Sequence, residues 1–490
     1  MLNALKDESN KNYVRTENDA ATYASSGSDA LDFFAAAGAL REAGEAEIIV
    51  RFTRAFAAHP LYALRTLFYA RDVRGGLGER RLFRVLLRHL AFAAPATLEK
   101  NLPHVPEVGR WDDLLVLLDT PLEAAAVRLI RAQLTEDLRA AWEEKTVSLL
   151  AKWLPSVNTS SRATRTQARR LAGLFGLSEA DYRRMLVRLR RRIALIENAL
   201  RTRDYTFDYA KQPSKAMFKY RAAFWRNDVE RYKAFLERVE RGAEQLHTGT
   251  LYPYEIIRPL SGAVTPHIPK EEVRTLDVTW SALPDYTHGE NALVVLDGSG
   301  SMYWGGNPLP SSVALSLAIY FAERNTGAFH GRFITFSGNP RLVEIKGVTI
   351  VERVHYCKSF DEVANTNLEA VFRLLLRAAV KNRVPQEELP SVLYIITDME
   401  FDACTVDADV TNFERAKELF AEAGYTLPRI VFWNVQSRSR QQPVTMNEQG
   451  VMLVSGCSPS IFSMVVDGRI TPYEYMAQVL GGERYAAIEV

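Results

Sequence analysis

Hydrophobic positions recur in two rhythms along the chain, and the change falls near residue 260. Between about residues 30 and 245 they return at steps of three and four. Leu82, Val85, Leu86 and Leu90 share one face of residues 81–93. Leu186, Leu189, Ile193, Ile196 and Leu200 form one stripe through residues 183–203. That spacing predicts amphipathic helices. None of them buries its stripe alone, so stacked helix pairs of the HEAT kind are expected, although no clean sequence period repeats. Residues 251–290 carry Pro253, Pro259, Pro266, Pro269 and Pro284 with little periodicity, and read as an irregular connector that can still pack. Beyond it, short apolar runs at 292–296, 331–336, 391–397, 429–435 and 450–454 read as strands. Residues 311–324, 368–380 and 412–423 between them read as helices. Strands alternating with helices imply a doubly wound, Rossmann-like parallel sheet covered on both faces. The expected class is multidomain α and α/β, with a helical repeat domain over 1–260, a connector over 261–289 and an α/β domain over 290–490.

Composition adds limits. A chain of 490 residues suits two domains, and 47% hydrophobic with 24% charged residues excludes a disordered chain. The net charge of +2 hides an asymmetry: residues 1–250 carry +10 and residues 251–490 carry −8. A basic half joined to an acidic half predicts different partners for each. Cys357, Cys404 and Cys457 are the only cysteines, with neither a disulfide framework nor C-x-x-C spacing. A reducing compartment is expected. The polar first residues and the lack of any apolar run of about 20 residues predict a soluble cytoplasmic protein that does not enter a membrane.

The sharpest chemical signal sits at the end of the first strand of the α/β half. The run 292–296 leads into Asp297-Gly298-Ser299-Gly300-Ser301, three oxygen-bearing side chains at alternate positions separated by glycines that permit a tight turn. The run 391–397 ends at Asp398, and Thr366 lies just before a predicted helix. In such sheets ligands bind at the carboxyl ends of strands. Carboxylates and hydroxyls without thiol or imidazole suit a hard divalent cation, Mg²⁺ first, with Mn²⁺ or Ca²⁺ as alternatives.

The pattern D-G-S-G-S after one strand, T-N-L before a helix and T-D-M after another strand resembles the von Willebrand factor A (vWA) domain. That resemblance implies a metal-ion-dependent adhesion site made by Asp297, Ser299, Ser301, Thr366 and Asp398, with a ligand carboxylate completing the metal shell. Ala364-Asn365 stands where many relatives have glycines. In the first half, the stretch beginning TENDAATYASSG, then FYARDVRGGLGERR and VPEVGRWDDLL, resembles the TROVE module of Ro ribonucleoproteins, where a HEAT-like ring precedes a vWA domain. A closer resemblance is to an uncharacterised family of the same architecture, carried by 148–165, AMFKY at 216–220, LYPYEI at 251–256, FITFSGNP at 333–340 and TDMEFDAC at 397–404. Ro proteins bind small structured RNAs and the loose ends of misfolded RNAs, so the resemblance implies RNA as partner.

The charge map points the same way. Residues 151–250 hold 22 Lys+Arg against 10 Asp+Glu. Arg162, Arg165, Arg169 and Arg170 cluster among hydroxyls; Lys211, Lys215, Lys219 and Arg221 interleave with Tyr205, Phe207, Tyr209, Phe218 and Tyr220; Arg71, Arg74, Arg80 and Arg81 flank Gly75-Gly76-Leu77-Gly78, read as a flexible basic loop. Cations neutralise phosphates, and aromatic faces stack unpaired bases. A run of charge is more often a solvated helix face, and Arg190-Arg191-Arg192 is read that way. Trp111-Asp112-Asp113 is read as a packing and capping feature. The expected function is a non-catalytic RNA-binding protein that takes small structured or single-stranded RNA and holds a protein or ligand carboxylate at the vWA metal site. The alternative is a metal-dependent protein-protein interaction scaffold without RNA. A nuclease ranks third, since no general base stands beside the oxygen cluster in the sequence.

Overall fold

The computed structural model describes residues 12–490 apart from 194, 263–266, 288, 290, 337–338, 361–366, 404–410 and 466–467. A short hairpin that no alternation announced comes first: β1 (Tyr13–Arg15) pairs antiparallel with β2 (Ala21–Tyr23). Helices then succeed one another with short connections, among them Asp29–Ala36, Glu45–Ala58, Pro60–Arg71, Arg80–Ala93 and Glu123–Trp142. Their starts follow from local chemistry. The Ser28 and Ser161 hydroxyls accept from Leu31 and Thr164 backbone amides, and Pro60 and Pro95 open their helices where a missing amide costs nothing. Leu82, Leu86 and Leu90 of the predicted stripe are buried in the main core.

The stripe over 183–203 is not one helix. It divides into Glu179–Arg192 and Ile196–Thr202. Leu186 and Leu189 join the main core, whereas Ile196 packs with Tyr209, Met217, Phe224, Tyr232 and Phe235 in a second, smaller cluster. Periodicity alone does not register the break, because the apolar residues keep helical spacing across it while the two halves face different cores. The proline-rich stretch is more ordered than an irregular connector: Pro253–Ile257 and Lys270–Ser281 are helices, and Trp280 is buried in the main core.

The remaining strands are β3 (Ala292–Asp297), β4 (Arg332–Phe336), β5 (Leu342–Glu344), β6 (Val392–Thr397), β7 (Arg429–Asn434) and β8 (Val451–Ser455). They form one sheet in the order β5-β4-β3-β6-β7-β8, parallel except for the β4–β5 pair. All residues of β3, β6 and β8 are buried, as strands covered on both faces require. The chain leaves β3 toward β4 on one side and returns through β6 on the other, so the topological switch lies between β3 and β6. The fold is a helical part followed by a vWA-like α/β sheet. Among the described residues no helix is long and apolar enough to cross a membrane.

The two parts interlock. The hairpin bridges to the sheet side through Asp19 with Asp402 and Tyr23 with Gln442. The Gly38 amide donates to the Ser455 hydroxyl, and a Cβ on Gly38 would lie 2.5 Å from the Ser455 carbonyl oxygen, so only glycine permits this approach to β8. At the other end, Arg484 and Tyr485 hold the buried Asp72 carboxylate, and Asn101 bonds the Glu489 backbone.

Candidate functional site

Asp297, the last residue of β3, and Asp398, one residue past β6, stand side by side at the switch point. Both are buried, as are Ser299 and Glu400. The Asp297 carboxylate accepts from the Ser299 amide at 2.8 Å and from the Thr397 hydroxyl at 2.5 Å. The Ser299 and Ser301 hydroxyls lie 2.9 Å apart. Met399 sits at φ 71°, a left-handed conformation that costs a residue with a side chain about 1 kcal/mol or more. It falls between two buried acids, Asp398 and Glu400.

These acids are incompletely served. Asp398 Oδ2 and Glu400 Oε1 are buried with no hydrogen-bond partner among the described residues. Among the described residues, the cation paired with Asp398 Oδ2 is Arg438, at 3.7 Å, beyond hydrogen-bond reach. Burial, and next to it the charge on Asp398, push the Asp297 carboxyl up to about 7. Burial likewise raises Asp398, opposed by a hydrogen bond from Ser301, and raises Glu400. Buried carboxylates with orphaned oxygens and adjacent hydroxyls fit a hard cation. Among the described residues no three His, Cys, Asp or Glu side chains gather as a metal-binding group, so the donors would be two carboxylates and hydroxyls. Thr366 lies outside the described residues.

Sequence reasoning passed over the second layer of this site. Thr397 orients Asp297, and the first described residues reach across: the Glu17 amide donates to Glu400 Oε2 at 3.0 Å, and Arg438 pairs with Glu17 at 3.1 Å. Thr397 was visible in the T-D-M motif; Glu17 and Arg438 carry no local signal, because only the fold brings them to the strand ends.

The predicted RNA-binding cations separate into groups. Arg71 is a correction: its side chain is buried and paired with Asp113 at 2.8 Å, so it holds the fold and does not face a polyanion. Arg80 pairs with Asp112, Arg169 with Glu179, Arg170 with Asp119 and Glu123, Lys211 with Asp208, Lys215 with Glu255 and Arg221 with Glu272. Arg81 donates to the Arg41 and Ala43 carbonyls, and Arg165 to those of Thr159 and Ser160. Arg74, Arg162 and Lys219 are exposed and carry no acidic partner among the described residues. The glycine loop is also corrected. A Cβ on Gly76 would meet the Tyr69 carbonyl at 2.0 Å and Leu77 is buried, so the loop is packed, not flexible. Tyr205, Phe207, Tyr209 and Tyr220 belong to the second cluster, where the rings of Tyr205, Phe207 and Tyr209 pack on one another and on Phe224, and the Tyr220 hydroxyl bonds Glu197. Trp111-Asp112-Asp113 does pack and cap: Asp113 accepts from the Arg110 amide at 2.9 Å.

Residues 291–482 match a family described as Domain of unknown function (DUF7788). Residues 16–128 and 161–287 match Domain of unknown function (DUF2828). The chain is 28% identical, over 95% of its length and 86% of the relative's, to an uncharacterized protein of Acanthamoeba polyphaga mimivirus. It also resembles the crystal structure of the Deinococcus radiodurans RO (RSR) protein, at 14% identity and a TM-score of 0.42, over 93% of this chain and 100% of that one. A likeness that slight carries no argument about function.

Proposed function

We propose that this chain is a non-catalytic RNA-binding protein whose helical part holds the polyanion and whose sheet holds a divalent cation, Mg²⁺ by preference. The observation that carries the RNA reading is the cationic surplus of residues 151–250, 22 against 10, with Arg162, Lys211, Lys215 and Lys219 exposed. Exposed ion pairs such as Lys211–Asp208 are weakly held and give way to phosphate. Asp297, Ser299, Ser301 and Asp398 would hold the cation. When bound, the cation offers a coordination position to a carboxylate of a partner. The metal-dependent scaffold remains a second reading, favoured by the orphaned oxygens of Asp398 and Glu400.

Titrating the full chain with fluorescent single-stranded RNA between about 50 and 200 mM salt tests the RNA reading. Affinity is expected to fall steeply with salt as counterion release is lost. Absent or salt-independent binding overturns it and leaves the scaffold.

A further inference from the structure

Between the end of helix Glu123–Trp142 and helix Glu179–Arg192 lies an open groove of about 740 Å³. Arg183, Arg184, Arg188, Arg191 and Arg192 line it. Arg184, Arg188 and Arg191 recur at steps of four and three, about one helical turn each, so their charges follow one another along the wall. Arg190 is different in kind. It turns inward and donates to the Ala151 and Leu154 carbonyls and the Ser156 hydroxyl. The triplet read as a solvated face therefore splits into one structural arginine and two that line the groove.

Trp142 stands beside the groove with 73% of its surface exposed, and the Arg188 guanidinium lies 3.7 Å from the centroid of its ring. An indole so exposed gains nothing from a core. Held by a stacked guanidinium, it presents a fixed flat surface. Two arginines engage acids, Arg184 with Asp181 and Arg192 with Glu144, whose side chains are 49% and 80% exposed. Such pairs exchange readily for phosphate. Arg183 and Arg191 are exposed and have no acidic partner among the described residues.

We infer that this groove is a binding site for single-stranded nucleic acid, with phosphates along the arginine wall and an unpaired base on Trp142. The inference rests on the RNA reading above and gives it a location. An acidic peptide would use the arginines without needing an exposed indole already braced by a cation, and a membrane would need a broader apolar face beside that indole than a groove lined by five arginines and Val187 provides. Unpaired bases use the indole, since every base has a face to stack.

The test uses the full chain, a fluorescent 20-nucleotide oligouridylate and vesicles containing phosphatidylserine. The double variant Arg183→Glu/Arg191→Glu is expected to weaken oligouridylate binding at least tenfold and to lower the salt slope by about 1.4, two phosphate contacts' worth. Trp142→Ala is expected to weaken binding on the order of tenfold with the salt slope unchanged. Trp142→Phe, which keeps a ring, should restore most of that affinity. If the wild type binds RNA and the variants bind it equally well, the groove is wrong and the RNA reading stands. If the wild type fails to bind RNA, both fall. Wild-type binding to the vesicles but not to oligouridylate likewise overturns the inference.

Discussion

Asp297 shows how one carboxyl ties the sheet to solution conditions. Its proton is held in the folded chain to about pH 7 by burial and by Asp398. Below about pH 4 the group is protonated in folded and unfolded chains alike, and its contribution to stability is fully present. As pH rises toward 7 the unfolded chain releases the proton first, so stability declines, and the loss is complete once the folded carboxyl ionises. In chelator-containing buffer the thermal midpoint is therefore expected to fall between about pH 5 and pH 8. A cation binds the ionised form, so Mg²⁺ should raise the midpoint more at the upper pH than at the lower. Melting curves with and without Mg²⁺ check this. An equal Mg²⁺ effect at both pH values, or one retained in Asp297→Asn, contradicts the proposed donor role.

Between elements, the Arg71–Asp113 pair joins helix Pro60–Arg71 to the 3-10 segment Trp111–Leu117 in the main core. Asp113 also takes Arg84 at 2.6 Å and the Arg110 amide, so it is the hub of the junction. Asp113→Ala leaves the Arg71 guanidinium buried without its acid. Breaking a buried pair from one side typically costs about 3–5 kcal/mol. Denaturant unfolding should show that loss as a lower midpoint at unchanged slope, and a change below about 1 kcal/mol would mean the site relaxes to admit water. Helix starts and strand runs were legible at this scale, since capping hydroxyls, prolines and apolar spacing act within a few residues. The division of 183–203 was not, because it depends on which core each half meets.

Across the whole molecule, the proposed cation donors Asp297 and Asp398 lie at the carboxyl ends of β3 and β6, whereas the groove arginines lie on helix Glu179–Arg192. Asp297→Ala removes a charge at the end of β3 and touches none of the arginines lining the groove. RNA affinity is expected to stay within about threefold of wild type, a shift below 1 kcal/mol, while Mg²⁺ no longer raises the melting midpoint. Loss of RNA binding in a variant that remains folded would mean that the cation site organises the RNA surface.

Apolar spacing alone determined that a helical half precedes an alternating half, and the oxygen triplet after an apolar run marked the strand end where Asp297 stands. These features are local, and neighbouring residues decide them. Which arginines face solvent was decided only by tertiary structure. Arg71 and Arg190 have the same formal charge as Arg183 and Arg191, yet the first two are consumed by Asp113 and by backbone carbonyls. Of the aromatics interleaved with lysines, Tyr205, Phe207, Tyr209 and Tyr220 joined a second core and Phe218 packed on the main one, while the exposed Trp142 carried no signal in its own surroundings. A charge or a ring is free for a ligand only if distant parts of the chain leave it unburied and unpaired, and sequence neighbours do not hold that information.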